Sequence, residues 1–166
     1  TNPAQASEEV GELLKGKNKK NVDLVTSVAH VYLDAGKLTE AQEYLAMAKK
    51  ADNKDPKVSV LEGDIALAQK NIGQACQLYE QAIYFDPNCK EAYLKYAQAY
   101  KSASPALAIE KLEQLKTVDP NCLEADRELA EVYYSSNRFG KAAEMYAKFI
   151  DTPLATEDDM LKYAFA

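Results

Sequence analysis

The chain has 166 residues, 47% of them hydrophobic, and a formal net charge of −6, values typical of a soluble globular protein. This length allows one domain with a continuous core, and no apolar run approaches the roughly 20 residues that a membrane-spanning helix needs. The acidic balance argues against nucleic acid as a partner, because binding to phosphates requires a positive field.

The N-terminal part of the chain predicts one helix. Ala6, Val10 and Leu13 form an i, i+4, i+7 stripe, so we expect residues 1–21 to be the second helix of a partial repeat. The densest group of lysines follows in residues 15–20, and we interpret it as a solvated loop in preference to a nucleic-acid patch. Thr1 is not a natural start, so we expect a removed segment before it, which leaves both a cytoplasmic and an exported location open.

From residue 22 onwards the sequence repeats every 33 or 34 residues. Five series of equivalent residues agree on this period within one residue. The series are Ala41, Ala75, Ala108 and Ala142; Tyr32, Ala66, Tyr100 and Tyr133; Ala48, Ala82, Leu115 and Phe149; Leu45, Tyr79, Leu112 and Tyr146; and Ala29, Gly63, Ala97 and Ala130. The last series contains small residues only, which predicts that two helices approach closely there.

Each repeat predicts two helices joined by a turn. In the first repeat, apolar residues from Val25 to Tyr32 recur at helical spacing, and Gly36 is suited to end that helix. Thr39 followed by Gln42 is a capping-box pattern, which predicts the start of the second helix. Later helices are predicted to begin at Asp55-Pro56 and Ser104-Pro105 and to end at Asp86-Pro87 and Asp119-Pro120.

This pattern resembles the tetratricopeptide repeat, most clearly in residues 97–121 and 130–150. The resemblance implies an all-α protein, an α-solenoid in which antiparallel helix hairpins form a right-handed superhelix. We expect a single domain over residues 1–166 with four complete repeats, 22–55, 56–89, 90–122 and 123–155. Loop geometry is expected to differ from the family where the first repeat has Asn53 in place of proline and the fourth lacks the closing Asp-Pro.

A fifth repeat is predicted to begin at residue 156, because Leu94-Lys95-Tyr96-Ala97 recurs as Leu161-Lys162-Tyr163-Ala164. A solenoid is expected to finish in a capping helix with a polar outer face, and Met160 and Phe165 do not fit such a cap. We therefore expect a chain cut from a longer array, with the alternative that the last helix is itself a sufficient cap.

The residues that most enzymes need are scarce. His30 is the only histidine, so a catalytic triad or a histidine-rich zinc site has no material. We found no glycine-rich phosphate loop, and no pair of carboxylates indicates a shared pocket. The prediction is a protein without enzymatic activity, cofactor or metal.

The resemblance implies a binding groove lined by the first helix of each repeat. The twelve predicted contacts are His30, Leu33, Lys57, Leu61, Asp64, Leu94, Lys95, Gln98, Lys101, Arg127, Glu131 and Tyr134. Chaperone-binding relatives hold a terminal carboxylate with asparagines at two of these places, and this chain has none there. We instead expect apolar contacts together with Lys95, Lys101 and Arg127 holding an acidic group.

Two functions follow as hypotheses. The first is a scaffold that binds a peptide or a partner protein, of unknown identity, in the groove. The alternative is a structural repeat segment that self-associates through its exposed terminal helix, in which case deletion of residues 156–166 would abolish association. A third and weaker hypothesis is a regulatory domain attached to an enzyme.

Overall fold

The computed structural model describes residues 13, 14 and 16–166, the side chains of Lys17 and Lys19 excepted. The predicted N-terminal helix therefore lies mostly outside the described residues, and its described part includes a 3-10 helix, Gly16–Lys20. The chain divides into two compact units, and the division lies between Pro87 and Asn88. Within the described residues all regular structure is helical.

Nine α-helices follow in the described part of the chain. They are α1 (Val22–Asp34), α2 (Leu38–Ala51), α3 (Pro56–Ala68), α4 (Ile72–Phe85), α5 (Lys90–Tyr100), α6 (Pro105–Val118), α7 (Leu123–Ser135), α8 (Phe139–Tyr146) and α9 (Glu157–Phe165). Consecutive helices pack as four hairpins, two in each unit, and α9 packs on α8. The first helices of the hairpins begin at residues 22, 56, 90 and 123, in agreement with the predicted number of complete repeats.

Local sequence explains most helix ends. Asp55 caps α3, since its carboxylate accepts a hydrogen bond from the Lys57 amide at 2.9 Å. Gly36 follows α1 with φ +72°, the left-handed geometry that glycine adopts readily. The prediction that Thr39 caps α2 is wrong: α2 begins at Leu38, and its N-cap is Lys37, which makes no side-chain capping bond. The tight turn at Gly36 ends directly at Lys37, so the helix starts before Thr39.

The series of small residues marks where the two helices of each hairpin touch. Ala29, Gly63, Ala97 and Ala130 are all buried. In the second hairpin, a Cβ atom built on Gly63 would lie 2.5 Å from Cε1 of Tyr79. Tyr79 is itself fully buried, and its hydroxyl donates to Asp64 Oδ1 at 2.7 Å. In the second hairpin the two helices therefore approach closely at the small residue, as the sequence predicts.

Candidate functional site

The predicted groove residues of the first unit contact one another across α1 and α3. His30 Nε2 lies 2.9 Å from Asp64 Oδ2, and Asp64 also accepts the hydrogen bond from Tyr79. Lys57, at the start of α3, forms an exposed ion pair with Asp23 in α1. Each of these two cross-helix pairs joins residues that are 34 positions apart, so the same surface position of successive repeats is linked.

Two apolar residues predicted for the groove of the first unit belong to the core or pack against it. Leu61 is completely buried and belongs to the core cluster that includes Val25 and Ile65. The prediction that Leu61 contacts a partner is corrected here, because a side chain with no exposed area cannot reach a partner. Leu33 is half-buried and packs against the same cluster.

In the second unit, polar side chains on one side of α5, α7 and α9 bond across the helices. We call this side, defined by Gln98, Lys101, Arg127, Glu131 and Lys162, the first-helix surface. Gln98 Nε2 donates to Glu128 Oε1 at 2.7 Å, and Lys101 Nζ lies 3.7 Å from the other oxygen of that carboxylate. That second oxygen is buried without a hydrogen bond, so Lys101 supplies the nearest positive charge for it.

Arg127 anchors α9 through a buried carboxylate. Its guanidinium lies 3.1 Å from Asp159 Oδ2, and the Asp159 side chain is 1% exposed. Asp159 also accepts from the amide and hydroxyl of Thr156, which completes a capping box for α9. Burial alone would raise the pKa of Asp159, but the hydrogen bonds from Thr156 and Arg127 outweigh it and hold that pKa below its usual value. Asp159 therefore remains a charged anchor at neutral pH.

Glu131 is the acceptor for two neighbouring elements. It receives the Tyr146 hydroxyl at 3.0 Å and the Lys162 ammonium at 2.8 Å. Burial and the bond to this carboxylate raise the pKa of Tyr146, so its hydroxyl stays a donor. The arrangement matches Tyr79 and Asp64 in the first unit, at the same spacing of 15 residues. Glu131 thus has a structural role in this surface.

The remaining predicted contacts differ in their surroundings. Lys95 lies on the surface, 3.8 Å from Glu91 in the same helix, and Leu94 beside it is half-buried. Tyr134 packs edge-on against Phe139 and Tyr146, with ring centroids 5.3 and 6.5 Å apart. Tyr134 is therefore part of an aromatic cluster of the fourth hairpin.

Sequence reasoning missed another buried ionic group in the second unit. Asp126, 3% exposed, contacts Lys116 Nζ at 2.7 Å and Lys148 Nζ at 3.0 Å. The signal was available, since Asp126 occupies the place that Val25, Ser59 and Tyr93 fill in the other repeats, and all three are buried. A charge in a buried register requires partners.

Comparison with known proteins identifies the family. A family model for the tetratricopeptide repeat matches residues 28–88 and 98–155, well over half of the chain. The chain belongs to the tetratricopeptide repeat family. This confirms the resemblance, the α-solenoid fold class and the repeat character that the sequence predicts. No curated protein matches the sequence significantly.

Solved tetratricopeptide structures match almost the whole chain. PilW, a widely conserved type IV pilus biogenesis factor, is 19% identical, with 96% of this chain and 74% of that one covered at a TM-score of 0.77. A tetratricopeptide protein of Thermus thermophilus is 19% identical over 94% and 86%, with a TM-score of 0.76. YrrB, which has an unusual peptide-binding site, is 15% identical over 94% and 82%, with a TM-score of 0.63. At these identities the likeness concerns the fold alone.

Among the described residues, none of the helices is long and apolar enough to cross a bilayer.

Proposed function

We propose that this chain is a non-catalytic scaffold that binds a peptide or a partner protein on its first-helix surface. Membership of the tetratricopeptide family supports this proposal, because stacked helical hairpins offer extended binding surfaces. The peptide-binding site of YrrB is a precedent on the same fold. Fold alone does not give function, so the proposal rests on the surface itself.

The observation that carries the proposal is the set of cross-helix polar contacts in the second unit. They are Lys90 with Glu124 at 3.3 Å, Gln98 with Glu128 at 2.7 Å, Arg127 with Asp159 at 3.1 Å and Lys162 with Glu131 at 2.8 Å. These contacts hold long side chains in place before a partner arrives, which reduces the entropic cost of binding. Gln98 nevertheless remains exposed on this surface.

The same contacts bear on the chemistry of the partner. Lys95, Lys101 and Arg127 were expected to hold an acidic group. Each of them already has a carboxylate of the same unit within 4 Å, so an acidic partner must compete with that internal carboxylate. We therefore propose that partner recognition on this surface depends on shape and hydrogen bonding around Gln98 as well as on charge.

A matched pair of substitutions tests the proposed surface. Q98R places a larger side chain on the first-helix surface and keeps a donor for Glu128, whereas Q114R makes the same change on the exposed side of α6 in the same hairpin. Affinity capture from a source-cell extract, read by mass spectrometry, is expected to show a partner that Q98R loses by about tenfold and Q114R retains. The steric block explains the difference, since both variants add the same charge.

Thermal melting of both variants provides the control, because each should unfold cooperatively within a few degrees of the original chain. A partner that both variants retain equally would place binding outside the first-helix surface. A partner that only Q114R loses would assign the second-helix side instead.

Self-association through α9 is a second candidate function. Met160, Leu161 and Phe165 are 51%, 60% and 75% exposed, an unusual concentration of apolar area on a nine-residue helix. Deletion of residues 156–166 would also remove Asp159 and Lys162, the partners of Arg127 and Glu131. Such a deletion therefore cannot separate loss of contact from loss of folding.

Substitution of the two outermost apolar residues gives the cleaner test. L161S/F165S is expected to convert any dimer or oligomer into a monomer in sedimentation velocity, because the apolar contact area is lost while Asp159 and Lys162 remain. A chain that is already monomeric at high micromolar concentration would contradict this candidate, and so would an oligomer that persists in the variant.

A further inference from the structure

A small pocket in the first unit lies apart from the first-helix surface. It has a volume of about 290 Å³ and is lined by Lys20 of the 3-10 helix and by Met47, Lys50 and Ala51 in the last turns of α2. This volume lies at the lower limit of small-molecule sites, which suits one or two amino-acid side chains better than a large ligand. We call the half-buried Met47 and Ala51 its floor and the exposed Lys20 and Lys50 its rim.

The charge around this pocket is opposite to that of the chain. The chain has a net charge of −6. Two exposed lysines nevertheless line the pocket, and two more are close to them in sequence: Lys20 and Lys50, then Lys49 and Lys54. Lys49 is held by Glu62 at 2.5 Å. Within the described part of the chain, we find no carboxylate within ion-pair distance of Lys20 or Lys50. Among the described residues, the two rim cations therefore have no carboxylate that competes with a ligand.

The neighbouring acidic group does not cancel this charge. Asp52 ends α2, and its Oδ1 accepts a hydrogen bond from the Lys54 amide at 2.9 Å, which turns this oxygen towards the following turn. Lysines in the last turn of a helix also interact favourably with the helix dipole, which accounts for Lys50 in part. The dipole does not account for Lys20, which comes from a separate element and completes the rim of the pocket.

We propose that this pocket binds an acidic peptide segment, with one apolar side chain on Met47 and Ala51 and flanking carboxylates at Lys20 and Lys50. A few carboxylates around one apolar residue match both the rim and the floor. A nucleic acid or an anionic membrane would extend its negative charge beyond the rim lysines and over the acidic remainder of the chain, whereas a short acidic segment stays at the rim. The interpretation of residues 15–20 as a solvated loop gives Lys20 no role, whereas this pocket gives it one.

The test is a titration of the 166-residue chain followed by amide NMR, which detects weak binding. The probe is the peptide Ser-Asp-Glu-Leu-Glu-Asp-Ser, compared with one in which serine replaces the leucine and one in which lysines replace the acidic residues. The acidic peptide with leucine is expected to shift the amides of Lys20 and residues 47–51 and to bind more tightly than the other two.

Two charge reversals of equal size identify the site. K50E removes a rim cation, and K70E changes an exposed lysine just after α3, outside the pocket. K50E is expected to weaken binding about tenfold, since it loses one attraction and gains one repulsion, while K70E changes it less than about twofold. A51L fills the pocket but keeps both cations, so the leucine and serine peptides should bind that variant equally.

Several results would overturn the proposal. Equal effects of K50E and K70E would indicate general electrostatic attraction, and equal binding of the lysine peptide would rule out the charge argument. Stronger shifts at the same amides with a single-stranded oligonucleotide or with phosphatidylserine vesicles would assign a different class of ligand. The absence of shifts with every probe would show that the pocket binds no acidic segment.

Discussion

Replacing Asp126 with alanine is expected to lower the free energy of unfolding by about 3 kcal/mol. The carboxylate is 3% exposed and forms ion pairs with two lysines, Lys116 from α6 and Lys148 from the segment after α8. Lys148 is 45% exposed and can return to water, so most of the loss comes from Lys116, which is only 16% exposed. Urea unfolding followed by circular dichroism measures the change.

The same substitution at an exposed site provides the control. Asp151 is exposed in the same unit, so D151A should change stability by less than about 0.5 kcal/mol. Adding K116M to D126A should recover more than half of the loss, because it removes the uncompensated charge that the first change leaves behind. If D126A and D151A were equally mild, the buried ionic group would have no role in stability.

Replacing Gly63 with alanine is expected to cost about 2 kcal/mol, although alanine favours helices by about 1 kcal/mol over glycine. The added Cβ would lie 2.5 Å from a ring carbon of Tyr79, so the ring must move by about 1 Å to reach ordinary contact. Tyr79 has no exposed area, and its hydroxyl is bonded to Asp64. That movement therefore strains the core and the hydrogen bond together.

Gly73 in α4 is the matched control, because a Cβ there would meet nothing within 4 Å. G73A should leave stability unchanged or raise it by up to about 1 kcal/mol. Y79L creates the alanine and leucine pair found at Ala29 with Leu45 but also loses the hydroxyl bonded to Asp64, so the comparison is a double-mutant cycle: G63A should cost much less in the Y79L background than in the original chain. The fourth hairpin accommodates Ala130 with Tyr146, so a ring that shifts freely would make G63A nearly neutral and contradict this account.

Local signals made the helices predictable. The beginning of α3 follows from Asp55 and Pro56, and the end of α4 follows from Asp86 and Pro87, since a cap and a proline act over only a few residues. The predicted start of α2 was wrong, because Gly36 and Thr39 give competing positions and the backbone follows the glycine.

The surface was less predictable than the helices. Leu61 was assigned to the groove from its place in the family repeat, but α3 carries the buried residues Val58, Val60 and Leu61 on different sides and is buried along most of its length. A helix that is apolar all round gives no pattern from which its exposed side can be deduced. The position of Leu61 in the family repeat therefore does not predict whether this side chain is exposed, because α3 is buried along most of its length.

The ionic contacts show a different limit. The acidic residues of the repeats were visible in the sequence, but Asp126 finds its lysines 10 and 22 residues away, in two other parts of the unit. Arg127 likewise pairs with Asp159, 32 residues along the chain. A sequence is compatible with many different pairs of charged side chains, and only the packing of the helices determines which of them form ion pairs.

The measurement that tests the proposed scaffold function most directly is photo-crosslinking of the captured partner. A photo-reactive amino acid is placed at position 101, beside Gln98 on the first-helix surface, so that Gln98 itself is kept, and in a second protein at position 114, on the other side of the same hairpin. We expect a covalent product with the partner from position 101 and little or none from position 114. A product from position 114 alone would contradict binding on the first-helix surface.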